Sequence, residues 1–181
     1  MATSGGTIET WAYFDSATRE TIFAKQHDGS NTYALFSVGH TQDGNGSYQD
    51  STDGKVFFQG LNGGANLEST TTLQSGQWYH LAVTFTGSEA RLYIDGQLDK
   101  IQSGNFSVPD DISSGTSPSA RIGEWQGKPG DMDGRIADFR VWNDVRTDNE
   151  IANSYDKQLN GDEQGLAGCW TFEEGAGSIA N

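Results

Sequence analysis

Gly76-Gln77-Trp78-Tyr79-His80-Leu81-Ala82-Val83-Thr84-Phe85 is the stretch whose reading decides the fold. Tyr79, Leu81, Val83 and Phe85 alternate with Trp78, His80, Ala82 and Thr84, a period of two that predicts a strand with one face in a core. Just downstream, Arg91–Ile94, then Asp95-Gly96, then Gln97–Ile101 read as a hairpin, because Asp-Gly supplies the positive φ angles of a type I′ turn.

Working outward, Thr7–Phe14, Thr21–Lys25, Tyr33–Val38, Lys55–Gln59 and Leu67–Thr71 are predicted strands upstream. Ala120–Glu124, Met132–Trp142 (interrupted by Gly134) and Leu166–Phe172 follow downstream. Thr147 and Glu150 form a capping box for one short helix, with Ile151, Tyr155 and Leu159 on one face. A parallel α/β sheet would need a helix between successive strands, and none is visible. The expectation is therefore all-β: an antiparallel two-sheet sandwich with one short helix, residues 1–181 forming a single domain. The chain is lean in aliphatics but has five Trp, six Tyr and nine Phe, which suits sandwich layers, and its 24 Gly suit many tight turns.

Lys plus Arg number 11 and Asp plus Glu number 25, a formal net charge of −14. Such a surface repels phosphate backbones and anionic membranes, so no nucleic-acid partner is expected. No apolar run approaches the roughly 20 residues that span a bilayer, so direct membrane insertion is not expected either. A single cysteine, Cys169, excludes an intrachain disulfide, and between Gly168 and Trp170 it reads as a small buried hydrophobe. Met1-Ala2 reads as an expression start, so the chain is expected to be one module of a larger multidomain protein.

Several blocks resemble one family. Thr7-Ile8-Glu9-Thr10-Trp11 resembles the opening strand of laminin-G-like, pentraxin-related jelly rolls of the concanavalin A-like lectin/glucanase superfamily. The run from Gly76 to Thr84 is similar to their most recognisable strand, followed by Leu92-Tyr93-Ile94-Asp95-Gly96. Arg121-Ile122-Gly123 and Gly134-Arg135-Ile136-Ala137-Asp138-Phe139-Arg140-Val141-Trp142 resemble the late strands. Glu150-Ile151 resembles the short helix, and the run from Leu166 to Gly175 the closing strand. The resemblance implies a jelly roll over nearly the whole chain. It also implies a strand before the Ile8-Glu9 block, where only Met1 to Gly6 stand, so the completing sequence is expected beyond Asn181. For function it implies recognition outside the cell, as in bacterial surface adhesins.

Catalysis is not expected. Related glucanases place Glu-x-Asp-x-(x)-Glu on one strand; Asp131-Met132-Asp133 lacks the following Glu, and adjacent Glu173 and Glu174 point to opposite faces of a strand. His80 is expected to be packed and hydrogen-bonded, and His27 and His40 solvated at strand ends. No Cys/His spacing suits zinc, and no nucleophile elbow is present.

The loops carry the candidate chemistry. In Thr41–Gly54, Asp43, Asn45 and Ser47 alternate like the first positions of an EF-hand, but Tyr48 stands where glycine is required and no Glu closes the loop. Read as a calcium loop of another kind, it offers Asp43, Asn45, Asp50 and Asp53 as metal ligands; read otherwise, it is a solvated turn. In the second segment, resemblance to pentraxin-like calcium loops points to Glu124, Gln126, Asp131 and Asp133, the alternative being a charged hairpin tip. The relatives' partner ligands fall near Asp15 to Thr18, where only Asp15 is acidic. Trp125 and Tyr48, with Gln126 beside them, are the candidate ligand-contact residues, since exposed aromatics next to polar groups stack on sugars or anchor peptides. The Ser103–Ser119 loop has a length usual for functional or mobile segments. Strand parity gathers loops 15–20, 41–54 and 125–131 at one end. The resulting expectation is a calcium-dependent, non-catalytic module, secreted or on the cell surface, that binds an extracellular peptide, protein or glycan. A structural spacer and a glycan-degrading enzyme are the alternatives.

Overall fold

The aromatic and β-branched run at the start of the chain forms β1 (Gly5–Phe14), which pairs antiparallel with β8 (Trp78–Thr86) on one side and β12 (Gly134–Trp142) on the other. In the computed structural model the described residues are 5–26, 33–42, 48–50, 53–60, 65–106, 119–124 and 131–173. β9 (Glu89–Ile94), β10 (Gln97–Ser103) and β13 (Leu166–Trp170) complete a six-stranded sheet in the order β10-β9-β8-β1-β12-β13. β2 (Glu20–Gln26), β3 (Tyr33–Val38), β6 (Lys55–Gln59), β7 (Asn66–Thr72) and β11 (Ser119–Ile122) form the second sheet, ordered β11-β2-β3-β6-β7. Every pairing is antiparallel, as a jelly-roll sandwich requires.

Period-two alternation fills the space between the sheets. Ile8, Ala12 and Phe14 of β1 meet Phe36, Val38, Val56, Phe58 and Leu67 from the five-stranded sheet. Phe58 stacks with Phe85 and Phe106 at 5.6 and 6.0 Å between ring centroids. One lateral edge is clasped by Asp99 of β10, whose carboxylate accepts the Thr70 and Thr71 N–H groups of β7 at 2.6 and 3.0 Å. At the other edge a cavity of about 350 Å³ remains, with Phe23, Ile122, Phe139 and Trp170 among its lining. The expected hairpin turn is present, with Asp95 and Gly96 at φ 49° and 75°.

The outer face of the six-stranded sheet reads in cross-strand rows. From one end they are Trp78, Tyr13 and Arg135; then His80, Trp11 and Ala137; then Ala82, Glu9 and Arg140; then Thr84, Thr7 and Trp142. The rows hold together only because β12 carries a bulge opposite the Glu9/Trp11 step, with Asp138 at φ 49°. The extra residue flips the strand's parity, so that Arg135 and Arg140, five apart, share one face.

Helix α1 (Asp148–Ser154) lies over the middle of this face. Its capping box forms as expected, with Thr147 Oγ1 accepting the Glu150 N–H and Glu150 Oε2 accepting the Thr147 N–H at 2.8 Å. Ile151 packs on Ala82 and Tyr93. The helix ends at Ser154, so Leu159 lies outside it rather than on its apolar face. Because α1 and the chain after it cover the sheet, β8 is buried on both faces beyond Trp78, where alternation alone predicts one solvated face.

Further expectations are corrected. The 41–54 loop is not without secondary structure: β4 (His40–Gln42) and β5 (Tyr48–Asp50) pair as a two-stranded ribbon. His40 is buried at its base rather than solvated. Cys169 is half-buried. His80 is fully buried as expected, its Nε2 at 3.4 Å from Glu9 Oε2. His27 and most of the 103–119 loop lie outside the described residues.

Candidate functional site

Backbone hydrogen bonds draw several connections to one end of the sandwich. Asp15 N–H donates to Asp133 O at 3.0 Å, Gly76 N–H to Phe14 O at 2.8 Å and Leu73 N–H to Gly54 O at 2.9 Å. Gly39 N–H closes the base of the 39–55 excursion on Lys55 O at 2.9 Å, and Gly123 N–H donates to Ile22 O at 2.9 Å. Gly39 is pressed so closely against Thr18 and Arg19 that a Cβ would clash with their backbone. The parity expectation therefore holds for the described bases of these loops: the β1–β2 turn lies beside both Gly39 and Asp133.

At the centre sits Glu20, only 2% exposed. Its Oε1 accepts from Ser16 Oγ at 2.8 Å and its Oε2 from the Asp133 N–H at 2.5 Å. Burial pushes the Glu20 carboxyl above its ordinary range, the two hydrogen bonds pull it down, and the Asp133 and Asp15 carboxylates push it up again; the net direction is upward. Both oxygens are engaged by the protein, so Glu20 is a strut that ties the β1–β2 turn to the start of β12. It is not a free acid for chemistry. Nothing in the sequence marks Glu20, and only the fold reveals that this first residue of β2 reaches Asp133, 113 residues away and just before β12.

The expected site residues divide. Asp43, Asn45, Trp125 and Gln126 lie outside the described residues, and for Tyr48 and Asp50 only the strand placement in β5 is described. Asp53 is exposed and its Oδ1 accepts the Lys55 N–H at 3.1 Å, which folds it onto its own loop. Glu124 pairs with Arg121 at 2.6 Å. Asp131 and Asp133 are exposed, and Asp133 enters the pole through its backbone N–H and C=O. Among the described residues, no three carboxylate, imidazole or thiol groups converge so as to hold a metal ion. These residues alone do not complete a calcium shell of six to eight oxygens.

A second polar assembly, also missed from sequence, lies beneath α1. Glu9 Oε1 accepts from Trp142 Nε1 at 2.9 Å and lies 3.5 Å from Arg140 Nη1. Arg140 also donates to Ser154 O at 3.2 Å and Lys157 O at 2.6 Å, placing its cation at the C-terminal end of α1. Burial acts to raise the Glu9 carboxyl, but the hydrogen bond and charge of His80, the Arg140 guanidinium and the Trp142 indole outweigh it and hold it below its ordinary value. This assembly is a structural lock.

With this geometry in place the family is decided by one match. The model of the concanavalin A-like lectin/glucanases superfamily, in its laminin-G form, covers residues 1–152. The chain belongs to that family. No protein of curated function matches the sequence. Among solved structures, a candidate carbohydrate-binding protein from Bacteroides ovatus is similar at 20% identity and a TM-score of 0.69, over 96% of this chain and 46% of the other. This domain thus spans less than half of that relative. The CBM40 domain of Ruminococcus gnavus IT-sialidase, bound to α2,3-sialyllactose, matches at 16% identity and a TM-score of 0.60, over 83% of this chain and 82% of the other. Trypanosoma rangeli sialidase matches at 17% identity and a TM-score of 0.56, over 85% of this chain but 23% of its own. At these identities the likeness is one of fold.

Proposed function

We propose that this domain is a non-catalytic carbohydrate-recognition module of a secreted or surface-anchored protein such as an adhesin, with the loop pole as its binding end. The observation that carries the non-catalytic part is the state of Glu20: the buried carboxylate at the pole accepts from Ser16 Oγ on one oxygen and from the Asp133 N–H on the other, and so serves to hold the turn in place. A rigid sandwich that presents several loops at one end favours recognition. The carbohydrate-binding proteins among its structural relatives favour a glycan over a peptide. No described helix is long and apolar enough to cross a membrane.

Calcium dependence is a separable part of the proposal. It rests on the acidic loops of the sequence, Asp43 to Asp53 and Glu124 to Asp133, and on the Asp133 and Asp15 carboxylates, which add to the burial that raises the Glu20 carboxyl. A glycan and peptide array, run with calcium and again with chelator, tests both parts, and a reducing-sugar assay on the bound glycans tests catalysis. Glycan hits without sugar release support the reading, and loss of those hits in chelator supports calcium. Peptide hits alone, or release of reducing sugar, overturn it.

A further inference from the structure

At the end of the six-stranded sheet nearest the loop pole, the outer face carries a row with no described helix over it. Trp78 of β8, Tyr13 of β1 and Arg135 of β12 are cross-strand partners. They span two strand spacings, about 10 Å. The Trp78 and Tyr13 rings lie 5.7 Å apart at 57°, and the Arg135 guanidinium sits 4.8 Å above the Tyr13 ring. Trp78 is 42% exposed, and Arg135 is exposed as well.

Two observations favour a binding surface over unfinished packing. The first is rigidity. The turn before Trp78 is pinned by the Gly76 N–H on Phe14 O, by the Gln74 N–H on Tyr79 Oη and by the Gln77 side-chain amide on the same hydroxyl. Gly134 lets β12 approach so near the Tyr13 carbonyl that any side chain there would clash, which sets Arg135 against the ring. An aromatic surface fixed in advance loses little freedom on binding. The second is charge. Arg91, Arg121, Arg140 and Arg146 each meet a carboxylate. Arg135 meets none among the described residues, although the chain carries a net charge of −14. Among the described residues, it stands without a carboxylate where the Trp78 indole lies open in the same row.

We infer that the Trp78–Tyr13–Arg135 row binds a carboxylate-bearing sugar, with the C–H face of the ring on the indole and the carboxylate taken by the guanidinium. Stacking alone would accept any pyranose; the planar Arg135 fork selects the acid, because it matches a carboxylate with two parallel N–H donors. The row shares no residue with the loop pole, so it stands whether or not the pole binds a glycan.

Calorimetric titration of the intact chain with trigalacturonate, a glucuronic acid oligomer and sialyllactose, each beside its methyl ester, tests this. At least one acid should bind roughly tenfold more tightly than its ester. Trp78→Ala should weaken both forms about tenfold, and Arg135→Gln should abolish the acid preference while leaving ester binding within about twofold. Arg135 is exposed, so R135Q keeps the test available should W78A fold poorly. Equal binding of acid and ester, undiminished binding by both variants, or no binding of any of these sugars would overturn the inference. So would loss of binding on Asp131→Asn with W78A unaffected, since it would move the contact to the pole.

Discussion

Two ends of one sheet face carry the same kinds of side chain and put them to opposite uses. Beneath α1, Trp142, Arg140 and Glu9 are sealed: the indole donates to Glu9, and the guanidinium contacts Glu9, Asp138 and two carbonyls at the end of the helix. At the uncovered end, Trp78 of β8, Tyr13 of β1 and Arg135 of β12 have no such partners among the described residues. The difference is cover. A buried arginine must be paired because an unpaired charge out of water is costly, and an arginine at the open end is under no such demand. Residue type alone therefore does not distinguish lock from platform; the path of residues 143–160 does.

The largest effect should come from breaking the sealed end. Glu9→Ala strips Arg140 of its buried counter-ion and Trp142 of its acceptor, and should cost about 3–5 kcal/mol in urea unfolding. If the cost is below about 1 kcal/mol, the assembly is not a lock.

Acid should act next. Burial pushes the His40 imidazole from 6.5 down to about 4. Since the unfolded chain takes up this proton near pH 6.5 and the folded one only near 4, its contribution is complete above pH 6.5 and is lost as the pH falls towards 4. The loss amounts to roughly 3 kcal/mol. Glu9, held below its ordinary 4.5, adds a loss that begins only beneath that value. His40→Gln should remove the upper phase and leave the lower one, while a Glu9 variant should do the reverse. Thermal unfolding from pH 7 to 3 separates the two.

Loosening the cover is a smaller perturbation. Thr147→Ala removes the N-cap of α1 and should cost about 1 kcal/mol. It should also speed hydrogen exchange of the Trp11 indole N–H, which donates to Tyr155 O at 3.0 Å just past the helix. Smallest of all, Trp78→Ala at the open end should change stability by less than about 0.5 kcal/mol, because its exposed ring seals nothing. A large loss there would make Trp78 a packing residue and erase the contrast.

Much of this architecture was legible in the sequence. The aromatic and β-branched run of β1, the alternating run of β8, the Asp95-Gly96 turn and the Thr147/Glu150 cap are local signals, and each marks an element that forms there. What stayed hidden depends on register. Arg135 and Arg140 are an odd number of residues apart and would face opposite ways in a regular strand; the Asp138 bulge places them together. Glu9 gives no local sign of its buried ion pair, which exists only because α1 and the chain after it cover that face. Trp78 reads as the start of a core strand, and its row exists only through pairing with Tyr13 and, beyond it, Arg135. At the pole, Asp15 and Asp133 were visible as acids, but the strut at Glu20 requires the two ends of the chain to meet. The β4–β5 ribbon was obscured by the Gly, Asp and Ser composition that flanks it, which reads as loop.

The contrast is tested most directly by following the tryptophan indole N–H signals by NMR while titrating an acidic sugar oligomer that the chain binds. The Trp78 signal should move in a saturable way, while those of Trp11 and Trp142, donated to Tyr155 O and Glu9 Oε1, stay fixed. Movement of the two sealed indoles with Trp78 unmoved would contradict the account.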